Sequence, residues 1–84
     1  MKVSYSKDTL DNSDWICVHI EASENELDHD AITELQMLRH KHNLGGGNDS
    51  KTSFNYGVTD QMTVYIENPT PEFEKDFTYW LFKT

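Results

Sequence analysis

Four histidines, one cysteine and fifteen acidic residues are the groups in this 84-residue chain whose spacing could support chemistry. His29 and His40 fall close in angle on one face of an expected helix, but they stand about 16 Å apart along its axis and cannot share an ion. His40 and His42 are two residues apart, which on a helix points their side chains roughly 200° from each other. Asp28, His29 and Asp30 are splayed around the helix for the same reason, so solvated surface positions are expected for all of them. Cys17 and His19 do share one face of an expected strand. Two ligands fall short of the four in a structural zinc site, and an apolar strand in an acidic chain favours the protonated, unreactive thiol. The expectation is a chain with no metal site, no cofactor and no catalytic residue.

Gly46-Gly47-Asn48-Asp49-Ser50-Lys51-Thr52 places Lys-Thr after glycines, in the manner of a phosphate-binding loop. Ser50 stands where the glycine before the lysine belongs, the segment follows a helix rather than a strand, and Asp49 would repel phosphate. The segment reads as a linker. Asn48-Asp49-Ser50 also matches a glycosylation sequon, which carries no weight without an export signal. The opening Met-Lys-Val-Ser-Tyr-Ser leads into polar residues, and no run approaches the ~20 apolar residues of a spanning helix. A single cysteine, which cannot form an internal disulfide, fits a reducing compartment, so a cytoplasmic location is expected.

Charge says more. Fifteen acidic against seven basic residues give a net charge of −8, which repels nucleic-acid backbones and anionic membranes and attracts basic protein surfaces. The carboxylates come in three groups: Asp8, Asp11 and Asp14; Glu21, Glu24, Glu26, Asp28 and Asp30; and Glu72, Glu74 and Asp76. Helix-terminus chemistry accounts for part of this, but its benefit is confined to the first turn.

The elements that must position these groups follow from periodicity. Lys2 to Ser6 alternates as a half-buried strand, and 7–14 is rich in turn formers and reads as a connection. Trp15 to Ile20 is apolar on both faces, as in a central strand. A long helix follows, with Ser23 and Glu26 as a capping box, Ala22 and Leu27 as a staple, and Gly45 at its end. Leu27, Ala31, Leu35 and Leu38 lie within roughly 80° of one another, with Ile32 at the stripe's edge. Gly45 to Ser50 reads as a loop, and Thr52 to Val58 and Gln61 to Glu67 as a hairpin. Pro71 behind Thr70 opens a last helix whose stripe is Phe73, Phe77, Trp80 and Leu81; the aromatic run Phe77 to Lys83 also fits a strand, and the helix is the preferred reading.

The order β-β-α-β-β-α predicts a single α+β domain over 1–84, a two-layer sandwich of about four mostly antiparallel strands with two helices on one face. The functional expectation is a small acidic protein-binding module, an inhibitor that occupies a basic surface of a partner protein, where that partner normally holds nucleic acid. In size, charge and lack of catalytic residues the chain is similar to the small acidic inhibitors that phages deploy against restriction and CRISPR systems, and to acidic immunity proteins and antitoxins. No motif carries that resemblance; it implies the host cytoplasm if the chain is phage-encoded. Asp8, Asp11, Asp14, Glu24, Glu26, Asp28 and Asp30 are the expected contact residues, with Tyr79 and Phe82 as apolar anchors. The alternative is self-association as a homodimer through an apolar face, either Trp15, Cys17 and His19 on the back of the sheet or Tyr79 and Phe82 on the last helix.

Overall fold

The computed structural model describes residues 1–23, 28–53 and 59–84. The chain runs β1 (Lys2–Leu10), β2 (Ser13–Ser23), α1 (His29–Lys41), β3 (Gly46–Ser53), β4 (Thr59–Glu67) and α2 (Pro71–Lys83). The strands form one antiparallel sheet in the order β1-β2-β4-β3. Both helices lie on the same face of it, because Ile16, Val18, Ile20, Val64 and Ile66 share one core cluster with residues of α1 and α2. The expected α+β order is therefore the observed one, and β2 is central, as its two apolar faces require. No described helix is long and apolar enough to cross a membrane.

The expected connection over 7–14 is not there. β1 continues to Leu10 and pairs Lys7, Asp8, Thr9 and Leu10 with Ile16, Trp15, Asp14 and Ser13. Only Asp11 and Asn12 turn, with φ of 53° and 64°. A two-residue hairpin of type I′ needs positive φ at both central positions, and Asp and Asn tolerate it better than other residues with a Cβ. The remaining polar residues of the segment are held by the ladder, which overrides their turn propensity.

The ends of α1 also differ from expectation. Ser23 ends β2 opposite Thr59, and Ala22 is buried as a strand residue, so neither serves as cap or staple. Asp28 is the N-cap, its Oδ1 accepting from the Ala31 amide at 3.0 Å. Glu24, Glu26 and Leu27 lie outside the described residues. The helix stops at His42, three residues before Gly45, because Asn43 takes the left-handed conformation (φ 55°). The Asn43 and Leu44 amides then donate to the His40 and Arg39 carbonyls at 3.0 Å each, and Leu44 packs against the core beside Leu38, completing a Schellman ending.

Gly46–Ser53 is an edge strand paired with β4, not a loop, and 54–58 lie outside the described residues. Gly46 has φ 137°, and a Cβ there would overlap the Tyr65 carbonyl, so this position needs glycine. Pairing with β4 supplies what the weak strand propensity of Gly-Gly-Asn-Asp-Ser does not.

α2 is a helix over its whole length, which settles the aromatic run Phe77 to Lys83. Thr70 caps it by accepting from the Phe73 amide, and Pro71 opens it. Phe73, Phe77 and Trp80 are buried in series, their rings stacked 5.8 and 6.0 Å apart, with Tyr5 set edge-on to Phe77 at 5.2 Å. Trp80 Nε1 donates to the Ala31 carbonyl at 2.7 Å, tying α2 to the first turn of α1. Side chains of this size contribute about 1.5–3 kcal/mol each on burial.

Candidate functional site

Ladder register decides which side chains share the face that no helix covers. In one row across the sheet Asp8 pairs with Trp15 and Trp15 with Glu67; in the next, Ser6 pairs with Cys17, Cys17 with Tyr65 and Tyr65 with Gly47. All of these but Ser6, with Thr9, Leu10 and Gly46, line a groove of about 640 Å³ on the open face. Gly46 and Gly47 keep β3 bare beside Tyr65, and Leu10 remains 63% exposed at the rim. Apolar and aromatic surface is thus left in water between two carboxylates. The Trp15 indole Nε1 is shielded and has no acceptor among the described residues. Further along the same face lie His19, its Nδ1 3.4 Å from Thr63 Oγ1, and the exposed Glu21 and Asp49.

Burial, reinforced by the neighbouring Asp8 carboxylate, pushes the Cys17 thiol above its ordinary value. The thiolate needed for nucleophilic or metal chemistry is disfavoured there. Among the described residues no group of three or more His, Cys, Asp and Glu side chains is placed to hold a metal ion.

The acidic groups fall differently from their order in the chain. Asp8 is on the open face and Asp14 on the other, where it accepts from Thr9 Oγ1 at 3.1 Å; Asp11 sits in the hairpin turn. Asp28 caps α1, and Asp30 is exposed in its first turn. Ser23, at the other end of β2, is about 30 Å from Asp14 at the usual rise per residue. The hairpin meets the start of α2. Lys7 Nζ is 2.6 Å from Glu74 Oε1, Asn68 exchanges hydrogen bonds with the Asp14 backbone, and Asp8, Asp14 and Glu74 line one cleft of about 290 Å³. Glu67 and Glu72 stand at the same end.

Most of the cations lie on the helix side. Lys7 pairs with Glu74, Lys83 with Glu34 at 2.8 Å, and Lys41 and His42 with Asp76 at 3.4 and 2.8 Å. The His42 hydrogen bond, helped by Lys41, holds the Asp76 carboxyl below its ordinary value, and Glu74 raises the Lys7 ammonium.

Tyr79 and Phe82 are 66% and 87% exposed on α2, beside Lys75 and Thr78. They sit on the helix layer, so the sheet stands between them and the groove. Tyr65, Leu10 and Glu67 were not among the expected contact residues, and Trp15 was expected only in the apolar face of the self-association alternative. Alternation put Trp15 and Tyr65 on the outer sides of their strands, but only the β2–β4 register makes them neighbours. Compared with known proteins, the chain matches no family model, no curated protein and no solved structure.

Proposed function

We propose that this chain is an acidic protein-binding module that occupies a basic surface of a partner protein, and that it inhibits the partner where that surface holds nucleic acid. The observation that carries the reading is the juxtaposition at one end of the sheet: an uncovered apolar groove with Trp15 and Tyr65 lined by Asp8 and Glu67, with Asp11, Asp14 and Glu72 at the same end of the molecule. Apolar anchors inside a polar rim are what tight interfaces use, and carboxylates give the approach its sign. With a net charge of −8 the chain is steered toward cations from a distance.

Self-association through the open face draws support from the same exposed Trp15, Tyr65 and Leu10. It would, however, bring Asp8, Glu21, Asp49 and Glu67 of one copy toward the same residues of another. That repulsion favours a basic partner.

The test starts with capture of the partner from the native host, followed by affinity measurements at about 50 and 200 mM salt, where phosphate-like contacts weaken by orders of magnitude. Steep weakening, together with displacement of labelled nucleic acid from the partner, is expected. Salt-independent affinity would remove the acidic module, and simultaneous binding of nucleic acid would remove the inhibitor.

A further inference from the structure

The groove is more specific than a basic partner requires. Cross-strand neighbours are about 4.5–5.5 Å apart at Cα, so the row Asp8, Trp15, Glu67 sets the Cα atoms of two acidic residues roughly 10 Å apart with Trp15 between them. Tyr65 stands in the adjoining row, where Gly47 opposite it contributes no side chain. Resting on the acidic-module reading, we propose that this groove takes one arginine side chain of the partner, its guanidinium plane against Trp15 and Tyr65 and its N–H groups donating to Asp8 and Glu67.

Three features select arginine. A planar guanidinium can lie on an aromatic face and donate along its edges in two directions at once, whereas an ammonium is a compact, strongly hydrated point charge. The carboxylates flank the ring rather than crowd one spot, which suits donors spread around a plane. Asp8 accepts from Ser6 Oγ at 3.0 Å, so that carboxylate is placed by the fold before any ligand arrives, and the Glu67 carboxylate lies beside Gly45, which has no side chain to crowd it. A second copy of the chain would present the same carboxylates to one another, which is why the occupant is cationic.

The experiment uses the full chain and three blocked tripeptides, acetyl-Gly-X-Gly-amide with X arginine, lysine or citrulline, followed by the Trp15 indole and Tyr65 ring resonances. Saturable shifts with the arginine peptide are expected, about threefold weaker binding with lysine, and none with neutral, isosteric citrulline. The Gly47→Leu chain is the structural control. A Cβ at this position meets nothing within 4 Å, so the fold is retained while the added side chain fills the groove, and the arginine shifts disappear. Asp8→Asn and Glu67→Gln each weaken binding about threefold to tenfold. Equal response to citrulline or lysine, unchanged binding by the Gly47→Leu chain, or concentration-dependent shifts of Trp15 without peptide would each overturn the assignment. If the peptides fail while salt-sensitive capture of the partner persists, the groove is wrong and the acidic module stands. If arginine binds but capture is insensitive to salt, the module is wrong and the pocket stands.

Discussion

The two faces of the sheet are built from the same strands yet differ in what they can tolerate. On the covered face Ile16, Val18, Val64 and Ile66 are fully buried against α1 and α2, and no polar or charged residue is buried among those described. On the open face their immediate neighbours Trp15, Cys17 and Tyr65 are only partly buried, and carboxylates flank Trp15 on both neighbouring strands. Period-two alternation separates the two roles by a single residue. One face holds the chain folded, which leaves the other free to present aromatic and acidic groups whose exposure costs stability little. A sequence change on the open face can therefore alter the groove without unfolding the protein.

The comparison breaks first at Trp80. Trp80→Ala removes the largest fully buried side chain and the hydrogen bond to Ala31, and should cost about 3–5 kcal/mol, measured by urea denaturation. For a domain with roughly 5–15 kcal/mol in total this threatens the folded state. A loss under about 1 kcal/mol would mean that the covered face does not hold the fold. Gly46→Ala tests the boundary between the faces. The left-handed φ and the Tyr65 carbonyl leave no room for a Cβ, so a loss of about 1–3 kcal/mol is expected. Neutral behaviour would show that the β3 start adjusts freely.

The smallest effect is electrostatic and belongs to the helix layer. Because the folded Asp76 carboxyl titrates below its ordinary value, its contribution is present above the unfolded pKa, near ~3.9, and is lost as pH falls through the lower, folded value. Asp76→Asn should flatten that part of the acid limb when urea midpoints are compared across pH. An identical acid limb would mean that the link to His42 and Lys41 adds nothing, as is common for exposed pairs.

Local patterning determined much of this protein before any contact was known. The element order, the buried stripe of Phe73, Phe77 and Trp80, the Thr70-Pro71 helix start and the two-faced character of Trp15 to Ile20 all follow from periodicity and capping, which operate over a few residues. Segments whose conformation depends on a distant partner were misread. Residues 7–10 and 46–51 look like turn and linker by composition and become edge strands because β2 and β4 offer them ladders. Ser23 resembles a helix cap until its pairing with Thr59 draws it into the sheet, leaving that task to Asp28.

The candidate site divides along the same line. Charge and the outward side of each strand are properties of the sequence alone, so an acidic binding surface could be expected from it. That Asp8 flanks Trp15 opposite Glu67, that Tyr65 joins them across Gly47, and that the hairpin meets the start of α2 depend on register and on the sheet order β1-β2-β4-β3. Register is a long-range quantity: it is set by which pairing buries Ile16, Val18 and Ile20 of β2 with Val64 and Ile66 of β4 on one side at once, and no single segment contains that information.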